Sequence, residues 1–168
     1  TGYIPDDKSL EEALKRTTHL AIGAHQDDLE IMAYHGILEC YEKEDKWFTG
    51  VICTDGRNSP RYGKFTDIAD GFMAGIRSEE QMDAADVGKY GAIFQLTYLS
   101  EEVKDPHDDQ LVQDLFKILE RIQPEILYTH NPADKHEAHV AVFQATLKAI
   151  RQLPKEKRPK LVYGCEVW

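Results

Sequence analysis

Short apolar runs alternate with longer amphipathic segments along most of this chain, and this alternation limits the folds that it can adopt. Residues 19–24 (HLAIGA) form a compact apolar run, whereas residues 29–41 carry apolar side chains at spacings of three and four. The first pattern is typical of a buried β-strand and the second of an amphipathic α-helix. The same unit of strand, turn and helix recurs downstream.

The later segments continue the alternation. We predict further strands at 48–54, 92–99, 125–130 and 161–168, and helices at 76–90, 109–122 and 136–153. Strands that are joined through helices form right-handed crossovers and a mainly parallel sheet with helices on both faces. The sequence therefore predicts an α/β fold, a Rossmann-like three-layer sandwich, with long loops at 55–75 and 100–108.

Length and composition narrow the class of protein. A chain of 168 residues has the length of one domain, so we expect a single domain over 1–168. The 30 acidic and 20 basic residues give a net charge of −10, which disfavours binding to nucleic acid or anionic membranes. We find no signal peptide and no apolar run long enough for membrane insertion. Three cysteines without a C-x-x-C pair lead us to expect a cytoplasmic protein.

Polar side chains stand where the predicted strands end. Ligands of doubly wound sheets bind in the crevice at the carboxyl ends of the strands, so we expect these side chains to face one crevice. Neither G-x-G-x-x-G nor G-x-x-x-x-G-K-[ST] occurs, which argues against a dinucleotide or a nucleoside triphosphate. The side chains that follow the first, second and fourth predicted strands are His25, Asp27, Asp28, Asp55, Arg57 and His130.

Two of these positions have the spacing of metal ligands. His25 and Asp28 lie about one helical turn apart and can reach one ion, while Asp27 projects at a different angle. His136 and His139 have the same spacing and make a third ligand available. A set of His, Asp and His with an open fourth position is typical of catalytic zinc. A carboxylate beside the ion can act as general base, and Asp27 is our candidate.

Each motif also has a purely structural interpretation. Acidic residues are favoured at helix N-termini, so the segment 25–28 could be only a helix cap. His136 and His139 could form a polar helix face, and Arg77 is either an exposed capping residue or an anchor for a polar substrate. The segment 54–57 is either a glycine turn or a crevice wall that contacts a sugar. The joint occurrence of both histidine motifs at predicted strand ends favours the metal site.

Residues 23–31 (GAHQDDLEI) resemble the first signature of the LmbE-like (PIG-L) N-deacetylase family. Later segments resemble its other signatures in the same order, namely 54–56, the pair Arg77 and Glu80, and 128–139. The resemblance implies a zinc-dependent hydrolase of Rossmann-like fold. Its expected substrate is an N-acetylglucosamine-type amide on a small glycoside or glycoconjugate, from which acetyl is removed. Homo-oligomers are common in the family, so the resemblance leaves a homo-oligomer open.

The family's functional residues can be placed on matching positions of this chain. The resemblance implies that His25, Asp28 and His139 bind Zn2+ and that Asp27 is the general base. His136 would stabilise the oxyanion or assist the leaving amine. The residues that we expect near the substrate are Arg77, Asp55, Arg57 and His130.

Two of the chain's departures from the family pattern concern the catalytic side of the site. A carboxylate commonly precedes the last histidine, but Ala138 stands there, so Glu137 or Asp134 would have to support His136. The resemblance also leads us to expect further chain after the strand at 161–168. Both departures bear on catalysis more than on metal binding. They keep open a second hypothesis, a non-catalytic metal- or sugar-binding protein on the same fold.

Overall fold

Strands of one sheet form the centre of the computed structural model, which describes residues 2–167. The strands are β1 (Gly2–Tyr3), β2 (His19–Gly23), β3 (Phe48–Thr54), β4 (Ala92–Tyr98), β5 (Ile126–His130) and β6 (Leu161–Cys165). Their order across the sheet is β1-β4-β3-β2-β5-β6. Every pairing is parallel except that of β1 with β4. The predicted α/β fold with a mainly parallel sheet is confirmed.

Helices cover both faces of this sheet. They are α1 (Leu10–Arg16), α2 (Asp28–Met32), α3 (Tyr34–Cys40), α4 (Asp70–Val87), α5 (Ser100–Lys104), α6 (Gln110–Ile122) and α7 (Glu137–Gln152). Alternate side chains of β2 enter two separate cores. Leu20 and Ile22 pack with α1, α5, α6 and α7, whereas Ala21 packs with α2, α3 and α4. Within residues 2–167, none of these helices combines the length and apolar content that a bilayer crossing needs.

The helix predicted at 29–41 is two helices in the structure. Ala33 interrupts it with φ −112° and ψ 18°, which are not helical values. After the break, α3 lies very close to β5, because a Cβ added at Gly36 would be 2.6 Å from the Tyr128 ring. Only glycine permits this approach. The prediction of one continuous helix is therefore corrected.

Other boundaries also differ from the prediction. Helix α4 begins at Asp70 within the segment predicted as a loop, and α5 occupies the first part of the other predicted loop. The elements β1 and α1 were not predicted. The last strand ends at Cys165, and Trp168 lies outside the described residues.

The order of the strands determines where in the sheet a ligand crevice lies. The chain proceeds from β2 outward to β3 and β4, and then crosses to β5 and β6 on the other side of β2. The direction of winding therefore reverses between β2 and β5, and this reversal is where such sheets bind ligands. The residues after β2 and those after β5 consequently lie side by side at one edge of the sheet.

Candidate metal and active site

Three side chains from the two segments meet at this point. His25 Nδ1 lies 3.2 Å from His139 Nε2 and 3.6 Å from Asp28 Oδ2, and His139 Nε2 lies 3.5 Å from Asp28 Oδ1. A tetrahedral zinc ion with bonds of about 2.0–2.1 Å separates its ligand atoms by about 3.3–3.4 Å. His25 and His139 each lie near that spacing from one another and from an Asp28 oxygen, but from different oxygens, Oδ2 for His25 and Oδ1 for His139. Two imidazole nitrogens and a carboxylate are ligands that zinc takes in proteins.

Asp28 is held in place by hydrogen bonds from its own turn. Its carboxylate is buried, with 3% of the residue exposed, and Oδ2 accepts the N–H groups of Ala24 at 3.0 Å and His25 at 2.7 Å. Burial raises the pKa of Asp28, but hydrogen bonds from His130 and His25 outweigh burial and hold that pKa well below its ordinary value. The carboxylate is therefore ionised and ready to bind a cation.

His130 lies behind the donors and has no exposed surface. Its ring stacks on His139 with centroids 3.9 Å apart. Its Nε2 accepts the Ala24 N–H at 2.9 Å and lies 3.2 Å from Asp28 Oδ2. Its Nδ1 is buried without a partner among the described residues. In this structure His130 contacts Asp28 from the buried side, and its contact with substrate stays a prediction.

Asp134 supports both histidines of the second motif. Its Oδ2 is 3.0 Å from His139 Nδ1, and its Oδ1 accepts the His136 N–H at 2.8 Å. Burial raises the pKa of Asp134, but the bonds from His136 and His139 outweigh it and lower the pKa. The carboxylate fixes the His139 proton on Nδ1 and leaves Nε2 free for an ion. Of the two carboxylates named as candidates to support His136, Asp134 contacts its backbone N–H and Glu137 is solvent-exposed.

His136 stands at the open side of the cluster. It precedes α7, and its ring centroid lies 4.8 Å from that of His25 and 4.6 Å from that of His139. Ligand atoms of these three histidines come within 4.8 Å of one another, as do those of Asp28, His130 and His139. Partial desolvation and the nearby His25 lower the pKa of His136. The ring is therefore neutral at pH 7 and can donate one hydrogen bond.

Asp27 and Arg77 form an ion pair beside the donors. Asp27 has φ 77°, in the left-handed region, and its side chain is directed towards α4 and solvent. Arg77 Nη2 donates to Asp27 Oδ2 at 2.8 Å and to the Gln26 carbonyl at 2.9 Å. Arg77 also pairs with Glu80. The structure thus brings Arg77 to the predicted base, one residue from Asp28.

The loop after β3 forms a neighbouring wall. Asp55 is buried and pairs with the Arg57 guanidinium, and it also accepts the Arg57 N–H at 3.1 Å. Gly56 has φ 73°, and a Cβ there would lie 2.2 Å from Gln26 Oε1 and 3.0 Å from Arg77 Cβ. The loop therefore packs tightly against the Asp27 turn. Asp55 holds Arg57, whose side chain is partly exposed, so Arg57 is the member of this pair that a substrate can reach.

Sequence reasoning missed the polar residues under the turn. Gln81 on α4 is almost fully buried and contacts both Asp27 and Glu30. Nothing in the sequence marks a glutamine of a charged helix as buried, because that depends on where α4 packs.

Comparison with known proteins identifies the family to which this chain belongs. The family model described as GlcNAc-PI de-N-acetylase (PIG-L) matches residues 20–150, a range that includes His25, Asp28 and His139. This chain belongs to the PIG-L family. YaiS, an uncharacterized deacetylase of Escherichia coli strain K12, is 28% identical to it over an alignment of 154 residues, and the match covers 89% of this chain and 77% of YaiS.

Solved structures share the fold of this PIG-L chain. N,N'-diacetylchitobiose deacetylase from Pyrococcus horikoshii matches with a TM-score of 0.69 at 23% identity, over 83% of this chain and 52% of its own. GalB, the 4-carboxy-2-hydroxymuconate hydratase from Pseudomonas putida KT2440, matches with a TM-score of 0.66 at 19% identity, over 89% of this chain and 62% of its own. This PIG-L chain thus spans less than two thirds of either. One fold carries a deacetylase and a hydratase, so the reaction must be argued from the side chains.

Proposed function

We propose that this chain is a zinc-dependent N-deacetylase that hydrolyses an N-acetylglucosamine-type acetamide on a small glycoside or glycoconjugate. The observation that carries the proposal is the convergence of His25, Asp28 and His139, whose side-chain nitrogen and oxygen atoms come within 3.2–3.6 Å of one another. The His136 ring centroid lies 4.8 Å from that of His25, and Asp27 directly precedes Asp28 in the chain. The description of the family and the name of the chitobiose deacetylase both denote loss of acetyl from an amino sugar. They support the same substrate class here.

His25, Asp28 and His139 would hold the ion. When bound, zinc supplies a Lewis acid that polarises a carbonyl oxygen and makes water acidic enough to attack near neutral pH. Asp134 orients His139 through Nδ1, and His130 braces Asp28 from the buried side. Ligands that are fixed in this way keep their geometry through the reaction.

Two further side chains would move protons and stabilise charge. Asp27 takes a proton from the attacking water, because its Oδ2 is engaged by Arg77 while its other oxygen is left for the reaction. His136, neutral at pH 7, donates a hydrogen bond to the oxygen on which negative charge develops. Arg57, on the adjacent loop, would contact polar groups of the sugar. Acetate and a free amine are the products.

Acetate release from a panel of acetylated amino sugars, including N-acetylglucosamine and N,N'-diacetylchitobiose, tests the proposal. The purified chain is loaded with zinc, and metal content is measured in the same samples. Asp27→Asn should abolish turnover with zinc content unchanged. Asp45→Asn, an exposed aspartate ahead of β3 at the opposite end of the sheet, should leave both unchanged.

A matched pair tests the ligands. His25→Ala should remove stoichiometric zinc, whereas His107→Ala, on an exposed loop, should not. Turnover that survives Asp27→Asn contradicts the proposed base. Full zinc content without acetate release from any member of the panel would favour the non-catalytic binding protein instead.

A further inference from the structure

The turn that carries the proposed base has an unfavourable backbone conformation. Asp27 has φ 77° and ψ −18°, a region that residues with a Cβ rarely adopt. Gln26 and Asp27 separate His25 from Asp28, and α2 begins directly after Asp27. Its conformation therefore fixes how the chain reverses between two of the proposed ligands. Surrounding contacts must hold it.

Helix α4 supplies those contacts. Gln81 Oε1 accepts the Asp27 N–H at 3.1 Å. Arg77, one turn earlier on the same helix, donates to the Gln26 carbonyl and to Asp27 Oδ2. Arg77 thus holds the side chain of Asp27 and the peptide before it, whereas Gln81 holds the backbone nitrogen of Asp27 itself.

Glu30 fixes the orientation of Gln81. Gln81 Nε2 donates to Glu30 Oε1 at 2.8 Å, and the Tyr90 hydroxyl donates to the same oxygen at 2.7 Å. A carboxylate only accepts, so the nitrogen of Gln81 must face Glu30 and its oxygen must face Asp27. Glu30 Oε2 is buried with no hydrogen-bond partner among the described residues. A buried carboxylate with one unpaired oxygen is energetically unfavourable, so packing alone does not explain why Glu30 lies here.

We propose that Gln81, oriented by Glu30, is a positioning residue that keeps Asp27 in its left-handed conformation. The proposal rests on the proposed function, in which Asp27 is the general base. Gln81 is 1% exposed, so a methionine could fill the same volume. It would leave the Asp27 N–H without its partner, because a thioether is a weak acceptor. What Gln81 supplies is therefore the hydrogen bond, and losing it lets the base leave its place beside the ligands.

Steady-state kinetics of the zinc-loaded protein form the first test. Gln81→Met should lower kcat about tenfold or more, with KM and zinc content unchanged. Gln113→Met, an exposed glutamine on α6, is the matched control and should leave all three unchanged. Glu30→Gln keeps an oxygen that can accept from Gln81 and Tyr90, so it should lose far less kcat than Glu30→Leu. That difference between two substitutions of one residue is not expected from a merely structural role.

Hydrogen exchange at the Asp27 amide provides a readout that does not depend on activity. The amide should exchange at least about tenfold faster in Gln81→Met than in the wild type, while amides within β2 keep their rates. If the wild type releases no acetate, the proposed function fails, and the exchange comparison still decides whether Gln81 holds the turn. Equal exchange rates in wild type and Gln81→Met overturn the proposal. A loss of kcat that is explained by loss of zinc also overturns the proposal. If Gln81→Met does not fold, the comparison of kcat between Glu30→Gln and Glu30→Leu decides: equal losses overturn the proposal.

Discussion

Replacing Asp134 with asparagine tests how the second motif is held. Asp134 offers two carboxylate oxygens to two donors, His139 Nδ1–H at 3.0 Å and the His136 N–H at 2.8 Å. Its side chain is almost wholly buried, so water cannot replace a lost bond. Asparagine has nearly the same shape but only one acceptor oxygen. One donor must then face an NH2 group, and either the His139 ring or the start of α7 loses its support.

The expected cost follows from these contacts. A buried hydrogen bond to a charged group contributes about 1.5–3 kcal/mol. Loss of a carboxylate behind a ligating histidine typically weakens metal binding about 10–100-fold. A 10–100-fold change corresponds to about 1.4–2.8 kcal/mol, so the two estimates agree. We expect Asp134→Asn to raise the zinc dissociation constant by this factor.

Competition with a chromophoric chelator measures that dissociation constant directly. Glu137→Gln is the matched control, because Glu137 is three residues away and 85% of its side chain is exposed. It should bind zinc as the wild type does. The reasoning is refuted if Asp134→Asn keeps wild-type affinity, or if Glu137→Gln weakens binding as much.

Three further perturbations have expected outcomes. Gly36→Ala would place a Cβ 2.6 Å from the Tyr128 ring and should lower the free energy of unfolding in urea by about 1–3 kcal/mol; an unchanged value would mean that α3 moves freely. Ser9→Ala removes the capping box with Glu12 and should cost about 1 kcal/mol in thermal unfolding without altering zinc affinity. Removal of zinc by chelation should leave the far-ultraviolet circular dichroism unchanged and lower the melting temperature. If free zinc was present at 100 times its dissociation constant before chelation, the folded state should lose about 2.7 kcal/mol of stability. Loss of the helical signal would contradict a preformed site.

Some of this structure follows directly from the sequence. The apolar run at 48–54 predicts a strand with the bounds that β3 has. Alternation of strands and helices predicts parallel pairing, and parallel pairing places the ends of β2 and β5 at one edge. The meeting of His25 and Asp28 with His139 depends only on that edge and on spacing of about one helical turn. It can therefore be predicted without coordinates.

Other features depend on contacts between distant segments. The interruption at Ala33 accompanies the close approach of Gly36 to Tyr128, a residue of β5 that the local pattern of the helix does not reveal. The burial of Gln81 depends on how α4 packs against the Asp27 turn. Helix α1 is a different case, because the Ser9-x-x-Glu12 pattern of its capping box is itself a sequence signal for a helix start.

The sheet brings the segments of the proposed ligands together. His25 and His139 are 114 residues apart in sequence, and their segments follow strands that pair in register from His19 with Ile126 to Ile22 with Thr129. Asp28 is fixed by N–H groups of its own turn, and His139 by Asp134. In zinc fingers the metal drives folding because no site exists before it binds. Here Asp28 and His139 already have protein partners that fix them, so binding energy need not be used to order these two ligands.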